Sequence, residues 1–186
     1  MIEIKNTFSE HELKALKSLV GQEFKFIGGR EVPDFLVSDS LVLGASNTAL
    51  AFSAAMKDVT INGAIEDFSF LFVEVANEDV VAETLKSGNM FLLNLRHEIT
   101  GISIVRETLT HFVKNLPSWT LSADVALVLH LVEGNVMLRL VSHSVEAIAV
   151  EYAHDFSLSS FEKPSSRFKN DLFDAYTSQF EVISVS

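Results

Sequence analysis

The stretch from Ser122 to His154, SADVALVLHLVEGNVMLRLVSHSVEAIAVEYAH, alternates apolar residues through one segment, meets Gly134-Asn135, and alternates back through another. A period of two sustained on both sides of a turn signal fits an antiparallel ribbon and no helix. A two-residue Gly134-Asn135 loop would set Glu133 opposite Val136, and so place His130 opposite Arg139 and His143 opposite Ala126. One face is then Val125, Leu127, Leu129, Leu131, Val136, Leu138 and Leu140, the core side. The other carries Ala126, Val128, His130, Val132, Met137, Arg139, Val141 and His143, too apolar for a freely solvated surface.

The same period recurs elsewhere. Strands are predicted over Phe24–Phe26, Phe35–Leu43, Thr48–Met56, Phe68–Ala76, Met90–Arg96, Thr100–Thr108, Asp124–Val132, Val136–Ser142 and Val145–Tyr152. Gly28-Gly29, Ser46-Asn47 and Ile61-Asn62-Gly63 are read as turns between them. From Ser40 to Met56 there is no charge, a length close to a membrane span, but Gly44, Ser46, Asn47 and Thr48 at its centre favour a hairpin.

Three segments break the period. Ser9 with Glu12 three residues on, flanked by Phe8 and Leu13, makes a capping box with a hydrophobic staple. It opens an amphipathic helix through Leu13, Leu16, Leu19 and Val20 that Gly21 ends. A short helix is predicted over Asn77–Ser87, with Glu78 and Asp79 in its first turn. A C-terminal amphipathic helix, 164–180, is expected from Phe168, Leu172, Phe173, Tyr176 and Phe180.

Short echoes keep their order along the chain: FKFIGGRE at Phe24–Glu31 with ISIVRE at Ile102–Glu107, SDSLVL at Ser38–Leu43 with SADVALVL at Ser122–Leu129, FVEVAN at Phe72–Asn77 with AVEYAH at Ala149–His154. The expected fold is therefore α+β and mainly antiparallel β. Two meander-type sheets, an internal duplication with pseudo-repeat halves 9–77 and 78–154, would pack as a sandwich or a strongly bent sheet within one domain, 1–186. Amphipathic helices are expected at both ends.

Composition then removes function classes. Lys plus Arg is 14 and Asp plus Glu is 25, a formal charge of −11, which repels nucleic acid and anionic lipid. No cysteine is present, which excludes disulfides, thiolate metal sites and thiol nucleophiles. The N-terminal sequence lacks the basic start and apolar run of a secretory signal, so a cytoplasmic protein is expected. Of the aromatics, 15 are Phe, which fill cores, against two Tyr and one Trp.

Candidate binding residues are few: His130, Arg139 and His143 on the second ribbon face, and Trp119 in a loop as a plug or a recognition residue. In the predicted register the two histidines lie more than about 10 Å apart, too far for one metal. No catalytic set, metal or cofactor is expected. Gly28-Gly29-Arg30 reads as a tight turn or an anion site, and the acidic run Glu66, Asp67, Glu74, Glu78, Asp79 and Glu83, with no Lys or Arg from Asp58 to Leu85, as a solvated face or a site for a cation or basic partner. The resulting expectation is a non-catalytic protein-interaction module that self-associates as a homodimer and can take a protein partner. Its alternatives are a binder of a small apolar ligand, on the mean hydropathy of +0.28, and a hydrolase or lyase using His130 or His143 with a carboxylate such as Glu146.

Overall fold

A computed structural model describes residues 1–30, 37–86, 90–158 and 174–185. The elements in chain order are β1 (Ile2–Asn6), α1 (Glu10–Lys17), β2 (Phe24–Arg30), β3 (Val37–Ser38), β4 (Ser40–Ala45), β5 (Ala49–Ile61), β6 (Ala64–Val75), α2 (Glu78–Lys86), β7 (Met90–Leu93), β8 (Ile99–Val113), β9 (Leu116–Leu131), β10 (Gly134–Ser142), β11 (Val145–Ala153) and β12 (Asp174–Val185). They form two mostly antiparallel sheets, ordered β6-β5-β4-β2-β7 and β12-β8-β9-β10-β11-β3, with β1 added in parallel to the free edge of β9.

The two sheets follow one path. In each, four strands meander (β2-β4-β5-β6 and β8-β9-β10-β11), and a fifth, β7 or β12, returns to pair antiparallel with the outer side of the first. The sequence echoes fall on corresponding strands: β2 with β8, β4 with β9, β6 with β11. Because β7 hydrogen-bonds to β2, the break between sheets falls after Leu93 and not at 77/78. One hydrophobic core draws on both sheets and α1, including Leu16, Leu19, Phe24, Phe52, Phe70, Leu127 and Leu129.

Local sequence explains the elements. Ser9 Oγ accepts the Glu12 N–H at 3.3 Å while Glu12 Oε2 accepts the Ser9 N–H at 2.7 Å, closing the capping box. Strand β1 precedes this helix, and Leu16 and Leu19 are fully buried beneath it. The uncharged Ser40–Met56 segment is the β4–β5 hairpin, closed by the Ala45 N–H donating to the Thr48 carbonyl at 2.8 Å. Asn62 and Gly63, both at positive φ (52° and 86°), turn β5 into β6.

Four expectations are corrected. Residues 174–180 of the expected C-terminal helix are strand: β12 pairs with β8 from Asp174↔Val113 to Val185↔Ile102, and Tyr176, Ser178 and Phe180 are half-buried at a spacing of two. The long edge of β8 supplies a ladder that overrides the helical spacing. Phe168, Leu172 and Phe173 lie outside the described residues. Gly28 and Gly29 are not a turn but sit inside β2, paired on both sides; a Cβ on Gly29 would lie 2.6 Å from the Ser40 carbonyl oxygen.

Trp119 lies within β9 and not in a loop, because the chain reverses earlier, at Lys114-Asn115, both at positive φ (50° and 65°). Pro117 is tolerated there because β1 pairs with β9 only from Trp119 onward. Finally, the β9–β10 loop is Val132-Glu133, with Gly134 opposite Leu131. Gly134 (φ 124°) belongs to the ladder, pressed against Tyr152, whose hydroxyl would lie 2.9 Å from an added Cβ. The register thus differs by four in residue sum, an even number, so both faces keep their members and every cross-strand partner changes. The core pairs remain apolar: Leu129 meets Val136 and Leu127 meets Leu138.

Candidate functional site

The corrected register assembles a polar chain on the second ribbon face. His130 lies opposite Asn135, not Arg139, and opposite Gly101 of β8. Its Nδ1 is 2.7 Å from Asn135 Oδ1 and its Nε2 is 2.8 Å from Ser103 Oγ. Asn135 Nδ2 donates to the His154 carbonyl at 2.9 Å, which turns its oxygen toward the ring. The network therefore assigns the proton to Nδ1, and Nε2 accepts from the Ser103 hydroxyl.

Serine, imidazole and amide in this order are the relay that activates a nucleophile. The surroundings support a structural use. Ser103 is only 6% exposed, and its strand is paired on both sides, with Val128 and with Ser184, so its neighbouring amides are committed to the ladders and not aimed at a developing oxyanion. The chain Ser103–His130–Asn135–His154 instead ties β8, β9, β10 and the end of β11 together.

Arg139 faces Ala126 and donates through Nε to Glu151 Oε1 at 2.7 Å, a half-exposed cross-strand ion pair. His143 falls in the β10–β11 turn. Its Nε2 donates to Glu107 Oε2 at 2.9 Å, and Glu107 Oε1 accepts from the Ser178 hydroxyl. Here the carboxylate sits between histidine and serine, so the imidazole does not reach the hydroxyl and no relay forms. The turn is clamped further by the Ser69 N–H donating to the His143 carbonyl at 2.7 Å and by the Phe68 ring against the imidazole, 6.3 Å between centroids. Glu146 pairs with neither histidine; its Oε1 accepts the Met56 N–H at 2.7 Å. Trp119 is 6% exposed and stacks among Phe68, His111 and Tyr176.

Val128 and Met137, on the face too apolar to be freely solvated, are covered within the chain itself, at 0% and 7% exposure. A further buried group was not singled out by sequence: Asp124, whose carboxylate accepts the Phe8 N–H at 2.7 Å and Arg106 Nε at 2.8 Å. Among the described residues no group of three or more His, Asp or Glu is placed to hold a metal ion, and no helix is long and apolar enough to cross a membrane.

Open space is found elsewhere, around α2. This helix follows β6 directly, capped by Asn77 Oδ1 accepting the Val80 N–H at 2.9 Å. It lies over β2, β4 and β5, where the sheet presents Ala49, Ala51 and Ser53 and the Phe26 ring covers Gly44; Val80, Val81, Ala82 and Leu85 of the helix are half-buried and none of its side chains is fully buried. The small floor leaves two clefts. One, of about 490 Å³, lies between the β4–β5 turn and Asn77, Glu78, Val81 and Ala82; the other, of about 370 Å³, is lined by Leu41, Ala51, Phe52, Phe72, Val80 and Thr84, with Glu12 and Glu74 also at its wall. The chain matches no protein-family model, no curated protein and no solved structure.

Proposed function

We propose that the protein is a non-catalytic binding protein that holds a small, largely apolar ligand between α2 and the sheet beneath it. One observation carries the reading: an amphipathic helix stays on a sheet by burying its apolar stripe, and α2 only half-buries Val80, Val81, Ala82 and Leu85, with no side chain fully covered by the sheet. Val80 and Val81 overhang clefts of about 370 and 490 Å³, within the range of small-molecule sites. A ligand there would complete the packing that the described residues leave open. The coverage of Ser103 supports the non-catalytic part of the reading. The shared strand path and the ordered echoes support reading the sheets as two copies of one unit, with the cleft at the β6-to-β7 crossover of the first copy.

Fluorescence of the neutral probe N-phenyl-1-naphthylamine tests this. The wild-type protein should enhance its emission saturably, and the double variant Ala49→Trp/Ala51→Trp, which fills the floors of the larger and the smaller cleft, should abolish the enhancement while melting near the wild-type temperature. No saturable enhancement with the wild-type protein, or full enhancement in the folded variant, removes the reading.

A homodimer is the second reading, and it needs a surface other than the covered Val128 and Met137. The end of the molecule where Asn62 Nδ2 donates to Ser118 Oγ at 3.3 Å offers one, since Ile65 and Leu116 there are 69% and 71% exposed. Light scattering giving twice 20.6 kDa, returned to 20.6 kDa by Leu116→Glu, would support it; the chain mass at all concentrations would dismiss it.

A further inference from the structure

We infer that the ligand of the smaller cleft is a small cation, an amine with an apolar body; this rests on the cleft reading above. The cleft of about 370 Å³ offers Ala51, Phe72 and Val80 to an apolar body, while Leu41 and Phe52 beneath it point into the core. Two carboxylates reach it, and they differ. Glu12 is spent inside the fold, with Oε2 accepting from Ser9 and Oε1 from the Val73 N–H at 3.4 Å. Glu74 is exposed and makes no ion pair among the described residues.

The walls come from β6 and α2, and no Lys or Arg occurs from Asp58 to Leu85, while Asp79 and Glu83 stand on the same helix as Val80 and Thr84. The cation recorded at this wall is Lys57, whose Nζ lies 4.3 Å from the centre of the Phe72 ring and donates to Asn6 Oδ1 at 3.4 Å. That ring already receives a positive charge, and Lys57 is held to it from outside the cleft lining. An anionic ligand would meet Glu74 and the field of a chain at −11, and a neutral one would leave Glu74 unpaired. A cationic head pairs with Glu74 and follows the field of the chain, on the side of the cleft away from Lys57.

Three probes of one ring size separate the charge from the cleft: 1-naphthylmethylamine, 1-naphthalenemethanol and 1-naphthoate, each competing against N-phenyl-1-naphthylamine at neutral pH. The amine should displace the probe at the lowest concentration and naphthoate at the highest. Glu74→Gln should cut the amine's advantage about threefold, the scale of an exposed ion pair, and leave the alcohol unchanged. If the alcohol binds and the amine is no tighter than naphthoate, the charge inference fails and the cleft reading stands. If Glu74→Gln leaves the amine's advantage intact, the inference fails in its assigned partner. If neither the fluorescent probe nor any competitor binds, both readings fall together.

Discussion

Asp124→Ala should be among the most damaging single substitutions in the chain, although the residue bears on neither cleft. Its side chain is 1% exposed, and it joins three segments: the Phe8 N–H just before α1, Arg106 of β8, and its own strand β9 at the bulge where Val105 pairs with Ala126 but Arg106 with Asp124. Removing the carboxylate orphans a buried N–H, which costs about 1–3 kcal/mol. Breaking a buried ion pair costs roughly 3–5 kcal/mol when the survivor has nowhere to go. Arg106 is 27% exposed and has Glu181 at 3.8 Å, so that second term shrinks to about 1 kcal/mol by partial solvation. The sum is about 3 kcal/mol. With a urea dependence of about 2 kcal/mol per molar, the unfolding midpoint should fall by roughly 1.5 M. Asp124→Asn keeps an acceptor for Phe8 and should lose less than half as much, while exposed Asp155→Ala should stay within about 0.5 kcal/mol of wild type. Urea titrations in which the Ala variant loses under 1 kcal/mol, or the Asn variant loses as much as Ala, would refute this account of the carboxylate.

Leu129→Asp buries an unpaired carboxylate at a fully covered position and should cost upward of 4 kcal/mol, whereas His130→Ala, which leaves Ser103 and Asn135 able to find water, should cost about 1–2 kcal/mol; equal losses in urea would mean the two faces are misassigned. Gly29→Ala should destabilise by about 2–3 kcal/mol, since its Cβ meets backbone at 2.6 Å, and a variant with wild-type melting would show that β2 and β4 can part more easily than their register implies. Asp67 lies directly opposite Asp58, and the side-chain hydrogen bond to Asp58, with the charges of Asp58 and Glu66, raises its carboxyl above the ordinary value of 3.8. A raised folded-state value means that protonation stabilises the fold fully below the unfolded value and that this is lost as pH rises through the folded one. Asp67→Asn should therefore raise the melting temperature at pH 7 and lose that advantage as pH falls below the ordinary carboxylate range; a gain that grows in acid would overturn the sign.

What the sequence made legible is what local chemistry determines. The capping box at Ser9 and Glu12, the Asn62-Gly63 turn and the short helix after Asn77 each depend on a few neighbouring residues, and each is found where those residues stand. The segments read wrongly are those whose structure is decided at a distance. Tyr176 and Phe180 satisfy a helical spacing and a strand spacing alike, and β8, far earlier in the chain, decides between them. Pro117 looks like a breaker until β1 is known to begin its pairing two residues later, and Gly28-Gly29 looks like a turn until β4 and β7 are known to flank it.

The candidate site shows the same division more sharply. Alternation encodes which face a residue takes, and a register change of four left that untouched: Leu129 stayed with Leu127 and Leu131 in the core, and His130 with Val128 on the other side. Partners are a matter of register, and register here depends on Gly134 being drawn into the ladder beneath Tyr152, a contact between residues on different strands. Moving the loop to Val132-Glu133 exchanged Arg139 for Asn135 opposite His130, and with it an ionic neighbour for an amide that orients the ring. Glu107 and His143, or the small floor under α2, are likewise assembled from segments that the sequence keeps far apart. Small residues at Ala49, Ala51 and Ser53 carry no signal of their own along β5; they acquire meaning only when α2 is laid across them and leaves space between.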